Sequence, residues 1–264
     1  MMGRIAICCL AVLLFGCAQL SVSAQEKHVI GQRLVWFAYY NTLKFNDRWS
    51  LGADVQERRF VDPAAQHLFA ARAHLIRALG NDWDARAGGS VFLNGRSDPG
   101  SSNDRVIPEL RPHIEFTHRQ KLRWLQVHHR YRAEGRFYHH TADGELGGGY
   151  AFGNFRFRYL LGIDIPLRKS SKPMPERWML RLNDEILINA GAHVIANTFD
   201  QNRIYAGIAF WVKPTLGFEL GYLNAFQSLS GGTEFYQRHI LRLAITQRLD
   251  LSERTAAPPT QDPR

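Results

Sequence analysis

The stretch Leu125–Phe137, LQVHHRYRAEGRF, carries two kinds of side chain in alternation. Its even positions His128, Arg130, Arg132, Glu134 and Arg136 are polar or charged, whereas Leu125, Val127, Tyr131, Ala133 and Phe137 are apolar or aromatic. Successive side chains of a strand point to opposite faces, so a period of two predicts a β-strand with one charged and one apolar face. The pattern recurs. Glu109, Arg111, His113 and Glu115 oppose Leu110, Ile114 and Phe116; Asn154, Arg156 and Arg158 oppose Phe155, Phe157, Tyr159, Leu161 and Ile163. Arg181, Asn183 and Glu185 oppose Leu180, Leu182, Ile186 and Ile188, and Arg238, Arg242 and Thr246 oppose Leu241, Leu243 and Ile245.

Such alternation suits a soluble barrel with its apolar face inward, or an inside-out barrel with aliphatic side chains in lipid and charges in the lumen. Other features favour the second. Arg4, the apolar run Ile5–Leu14 and the small-x-small end Val22-Ser23-Ala24 have the layout of a cleaved secretory signal over residues 1–24. The alternative, a lipoprotein signal at Leu14-Phe15-Gly16-Cys17, has Phe15 where a small residue is wanted. Cys8, Cys9 and Cys17 all fall within the signal, so the exported part cannot rely on disulfides. No later apolar run is long enough for a membrane helix, which needs about 20 residues. A membrane location would therefore require a barrel.

Alternating segments are expected near 32–43, 48–60, 66–79, 82–94, 107–119, 121–137, 150–166, 177–189, 200–212, 215–227 and 236–249. They exceed the five or six residues usual in soluble strands. Tight turns are expected at Asn46-Asp47, Gly80-Asn81-Asp82, Arg119-Gln120-Lys121 and Lys213-Pro214. Longer loops should lie at Gly95–Asp104, His139–Gly149, Ala190–Phe199 and Ser228–Glu234. Short turns at one end and long loops at the other match outer-membrane barrels. The connection Leu167–Glu176, with Arg168, Lys169 and Lys172, is longer than that rule allows. Trp49, Trp83, Trp124, Trp178 and Trp211 all stand beside the tight-turn end, as an interfacial aromatic girdle would require. The expectation is an all-β, transmembrane, antiparallel up-and-down barrel over 25–251, followed by a disordered tail over 252–264. Eleven segments are resolved, but single-chain bacterial barrels have even counts, so twelve strands are expected, with ten as the alternative.

The formal net charge of +9 falls by one when Arg4 is removed. Arginine supplies 27 of the positive charges and lysine 6. Arginine is favoured where carboxylates are paired in partly desolvated surroundings. A luminal polar network is therefore expected from Arg72, His74, Glu109, Arg111, His113, Glu115, His128, Arg130, Arg132, Glu134, Arg156, Arg158, Arg181, Asn183, Glu185, Arg203, Glu219, Arg238 and Arg242. It could pack the lumen as a structural network or line a path for a small anionic solute.

Several ordered motifs carry a family resemblance: Trp36, Trp49 and Arg58; Pro112-His113-Ile114-Glu115; His129-Arg130-Tyr131-Arg132-Ala133-Glu134; and Arg156-Phe157-Arg158-Tyr159. The series continues with Asn183-Asp184-Glu185, Asp200-Gln201-Asn202-Arg203, Gly221-Tyr222-Leu223-Asn224 and His239-Ile240-Leu241-Arg242. Their order and spacing resemble the bacterial family called domain of unknown function 2490, whose members look like outer-membrane β-barrels. The resemblance implies no activity, substrate or catalytic residue. The arm after Leu251 departs from the usual pattern, in which an aromatic residue of the last strand ends the chain.

A lipid-modifying enzyme is the remaining alternative. The sequence contains no His-x-Ser of the kind an outer-membrane phospholipase uses. His139-His140, near Asp143 and Glu145, reads as a solvated loop before it reads as a metal or acid–base cluster. His128 and His129 fall on opposite faces. Gly147-Gly148-Gly149 has no following helix to hold a phosphate, and the arginines alternate along strands instead of forming a stripe for nucleic acid. No cofactor, metal or catalytic residue is expected. The expected partners are outer-membrane lipids, lipopolysaccharide, the barrel-assembly machinery and a small anionic solute.

Overall fold

A computed structural model describes residues 27–142, 145–167, 177–194, 198–229 and 231–252. The expected signal at 1–24, Asp143, the basic connection 168–176 and the tail from 253 lie outside the described residues. The described chain forms eleven strands: β1 (His28–Lys44), β2 (Trp49–Phe60), β3 (Ala65–Gly80), β4 (Trp83–Asn94), β5 (Ile107–Lys121) and β6 (Gln126–Ala142). They continue with β7 (Glu145–Pro166), β8 (Trp178–Ala190), β9 (Phe199–Lys213), β10 (Leu216–Ser228) and β11 (Glu234–Asp250).

These strands close into one barrel in which each strand pairs with its neighbours in sequence. Every consecutive pair is antiparallel. The closing pair differs: β1 and β11 run parallel, from His28 opposite Glu234 to Lys44 opposite Asp250, with no register shift. The count of eleven lies next to the expected figure of about twelve, and the parallel seam accounts for its being odd. An even count follows from antiparallel closure, and a parallel seam removes that requirement. Parallel pairing is slightly weaker per residue. Here the seam extends over both 17-residue strands, so its length offsets that weakness.

The tight-turn end is built as its residues dictate. Asn46 Oδ1 accepts from the backbone N–H groups of Arg48 and Trp49, both at 2.9 Å, closing the β1–β2 turn. Asn81 and Asp82 take positive φ values of 50° and 62° between β3 and β4. Two expectations shift. Strand β5 runs through Arg119-Gln120-Lys121, and its turn lies beyond, where Leu122 N donates to Leu125 O at 2.9 Å. The expected loop His139–Gly149 is largely ladder, with Thr141 opposite Leu146 and Ala142 opposite Glu145. Register shifts at Arg136/Phe137 and His139/Thr141 break the alternation there, which hid the strand.

The faces separate by exposure. Phe37, Val55, Val91, Ile114, Phe116, Tyr131, Phe155, Phe157, Ile186, Ile204, Leu220 and Leu241 are exposed around the outside. Glu109, Arg111, Glu115, Arg132, Glu134, Arg156, Arg158 and Glu185 are buried inside. An apolar belt around the full circumference far exceeds the apolar patch of a soluble monomer. It is the surface that hydrocarbon covers in an inside-out barrel. Trp83, Trp124 and Trp178 are exposed at the tight-turn end, and Trp49 is half-buried there with Arg77 5.3 Å from its ring. Trp211 contradicts the girdle: it is buried in the lumen, with Arg248 4.3 Å from its ring. Its alternation partners Tyr205 and Ala209 are also buried, so β9 turns this tryptophan inward.

The seam is directly testable. Ala38 and Ala244 are Cα partners across it, and both are buried. No cysteine follows Cys17, so in a chain beginning at residue 25 Ala38→Cys with Ala244→Cys should form a disulfide on oxidation. A faster-migrating band on a non-reducing gel checks this; its absence while the barrel remains folded would rule out the parallel register.

Candidate functional site

All nineteen side chains expected in the lumen fall on the inward face of their strands. The most connected lie on β4 to β9. Glu115, on β5, receives Arg132 Nη2 at 2.5 Å, Arg86 Nη1 at 3.2 Å and Arg130 Nε at 3.7 Å. Glu134, on β6, receives Arg158 at 2.9 Å and Arg132 at 3.3 Å. Glu185, on β8, takes Arg130 at 2.5 Å, Arg158 at 2.7 Å and Arg203 at 3.5 Å. Arginines and carboxylates thus form a continuous chain, and Arg130 bridges from Glu115 to Glu185 across β7.

Two further groups extend it. Toward the loop end, Glu109 holds Arg111 at 2.7 Å and Arg136 at 2.6 Å, and Arg156 meets Asp200 at 3.0 Å. Toward the turn end, Arg181 pairs with Asp164 at 2.8 Å and also with Glu219. Glu219 in turn holds Arg242 and accepts from the Tyr205 hydroxyl at 2.7 Å. On β2 and β3, Asp54 pairs with Arg72 at 2.8 Å. Charge-assisted bonds of this kind need shared geometry, which strand alternation provides: i and i+2 share a face, as Glu109 and Arg111 do.

Small residues make room for the large ones. A Cβ on Gly162 would stand 2.0 Å from His128 Nε2, and one on Gly221 would stand 2.3 Å from the Tyr205 hydroxyl. The absent side chains let His128 and Tyr205 lie across neighbouring strands. His74 and His113 meet edge-on at 5.8 Å between centroids, beside the ion-pair chain. The Asn183 amide oxygen lies on the same side as His128, 2.6 Å from where a Gly162 Cβ would stand.

One side of the lumen is not polar. Leu34, Trp36, Phe60, Tyr205, Leu223 and Ile240 form a buried cluster on the inner face of the seam and its flanking strands. The alternation rule could not reveal it, because Leu34, Val35, Trp36 and Phe37 are apolar on both faces of β1. Asp54, Arg58, Arg86, Asp164 and Asp200 were also absent from the expected network. Asp54, Gln56 and Arg58 do alternate with Val55, so that signal was present in the sequence. His139 and His140 lie in the β6 extension, and His128 and His129 do sit on opposite faces. His129 Nδ1 lies 2.9 Å from the Tyr159 hydroxyl on the outside. Among the described residues, no group of three or more His, Cys, Asp or Glu side chains comes together as a metal site.

A family profile described as "Protein of unknown function (DUF2490)" matches residues 34–236. The chain belongs to that family. The match runs from β1 into β11 and takes in the ordered motifs up to Gly221-Tyr222-Leu223-Asn224. No curated protein matches. Among solved structures, the chain is similar to one described as the NanC porin in a rhombohedral crystal form, with a TM-score of 0.49 and 11% identity. That likeness covers 82% of this chain and 99% of the porin chain. The barrel rests on its own strand pairing and not on this likeness.

The lumen predicts two stability effects. Glu115→Ala takes a shared carboxylate from Arg86, Arg130 and Arg132, and losing one side of a buried pair costs roughly 3–5 kcal/mol. Gly221→Val overfills the Tyr205 contact, at about 1–3 kcal/mol. Urea unfolding of the refolded barrel measures both, and Glu115→Ala should lower the midpoint more.

Proposed function

We propose that the protein is an outer-membrane barrel of a Gram-negative bacterium that gives small anionic solutes a narrow, arginine-lined path. In this reading it is exported by its signal, inserted by the barrel-assembly machinery, and surrounded by phospholipid and lipopolysaccharide. One observation carries the reading: in nearly every luminal ion pair the carboxylate is the more deeply buried partner. The Glu115 side chain is 0% exposed, against 21% for Arg86 and 25% for Arg130. Glu219 is 6% exposed, against 25% for Arg181 and 16% for Arg242. Asp200 with Arg156 is the exception, at 8% and 7%. Water in the lumen thus meets guanidinium with carboxylate behind it. A passage lined by one sign of charge concentrates the opposite ion.

A closed structural barrel is the second reading. It is favoured by the apolar cluster at Leu34, Trp36, Phe60 and Ile240, which fills the seam side of the lumen.

Planar-bilayer recording of the refolded barrel separates the two. The path reading expects small unitary currents whose reversal potential in a salt gradient has the sign of anion preference. Arg130→Ala and Arg181→Ala should each weaken that preference. Silent bilayers with demonstrably inserted protein would sink the path and leave the closed barrel.

A further inference from the structure

At the loop end of the lumen, arginine is held differently. Arg58 Nη2 donates to Gln56 Oε1 at 2.8 Å, and Arg203 Nε donates to Gln201 Oε1 at 2.8 Å. Arg238 donates to Gln32 Oε1 and to Gln227 Oε1, both at 2.7 Å. Gln201 Nε2 lies 3.5 Å from Gln227 Oε1, so the amides link one arginine to the next. Among the described residues, no carboxylate lies within ion-pair distance of Arg58 or Arg238. Arg203 reaches Glu185 only at 3.5 Å, and that carboxylate already serves Arg130 and Arg158 more closely.

The three guanidiniums are neighbours. Those of Arg58 and Arg203 lie 3.9 Å and 5.7 Å from the centre of the Trp36 ring. Arg203 repels both Arg58 and Arg238. Asp200 attracts Arg203 and Arg238, but its own partner is Arg156 at 3.0 Å. Arg58 is 9% exposed, and its Nε is buried with no partner. Nε of Arg86 and of Arg130 likewise makes no hydrogen bond, but both side chains pair with Glu115.

An amide oxygen fixes the direction of a guanidinium without cancelling its charge. Desolvated like charges held together call for a counter-charge. Each guanidinium has five N–H donors in a planar fork, and the amides occupy only one or two of them. We infer that Arg58, Arg203 and Arg238 bind the oxyanion group of a small solute, a carboxylate or a phosphate, arriving from the loop end. Gln32 ties this arginine cluster to the β4–β5 loop by donating to Ser97 O at 2.8 Å. The inference takes its occupant from the anion-path reading, but its geometry stands apart from conduction.

The test is calorimetric titration of the refolded barrel, in neutral detergent, with inorganic phosphate and separately with acetate. Ionic strength is held constant with sodium chloride. Saturable one-to-one binding of at least one anion is expected, and the stronger binder shows whether the site prefers tetrahedral or planar geometry. Arg58→Gln and Arg238→Gln should each weaken it tenfold or more. Arg248→Gln removes a luminal arginine that is also without a carboxylate, but at the turn end, and should leave affinity within about twofold. No saturable binding of either anion, or equal weakening by all three variants, would overturn the site. Should the Gln variants fail to refold, the wild-type urea midpoint must rise in phosphate or acetate above chloride at equal ionic strength; an unchanged midpoint overturns the site. Binding without conductance keeps the site and removes the path, whereas conductance without binding does the reverse.

Discussion

Glu115, Glu134 and Glu185 lie on three strands of one barrel wall, and each gathers two or three guanidiniums. Much of the interior follows from this sharing. A carboxylate desolvated alone would be too costly to keep ionised, and one arginine offsets only part of that cost. Two or three offset it more fully, but the excess arginines must then reach over the carboxylate toward the barrel axis. Burial of the acid and exposure of the base are therefore one arrangement. It explains how a wall containing both signs can present mostly one of them to water.

The seam answers a different constraint. Eleven strands bring the first and last into the same direction, so closure must use the slanted bonds of a parallel pair. Strand β1 carries apolar side chains on both faces from Leu34 to Ala38, and β11 places Ile240 and Ala244 among its inward arginines. The outer set is exposed around the barrel, and Leu34, Trp36, Leu223 and Ile240 pack together behind it. The barrel thus has a dry side that stabilises closure by packing and a wet side built from ion pairs. Trp36 stands at the border, with its indole in the cluster and Arg58 across its face. Stacking lets a guanidinium border apolar surface without full desolvation.

Alternation made the wet side legible. His128, Arg130, Arg132 and Glu134 against Val127, Tyr131 and Ala133 can be sorted without knowing any neighbour. The dry side was not legible, because alternation carries no information when both faces are apolar. Trp211 was misplaced for a related reason. Proximity to a turn gives its height along the barrel but not its face, and its burial follows from the parity of β9. Eleven segments could be read from the sequence, but not the parallel seam that lets an odd number close, because no sequence pattern marks the direction in which two distant strands will pair. The extension of β6 and β7 was hidden by bulges that shift the alternation by one residue.

The kind of acceptor holding each arginine changes along the lumen. From Glu115 to Glu185 the acceptors are carboxylates, so each added arginine is largely neutralised where it stands. Around Arg58, Arg203 and Arg238 they are mainly the amides of Gln56, Gln201, Gln227 and Gln32, which orient charge and leave it in place. Replacing a carboxylate by an amide of similar shape preserves the hydrogen bond while removing a negative charge. The same alternating scaffold can therefore set local potential independently of local packing. A sequence reading that counts arginines and acids sees an excess of arginine spread through the chain. The structure concentrates part of that excess at the loop end of the lumen, where amides leave its charge in place.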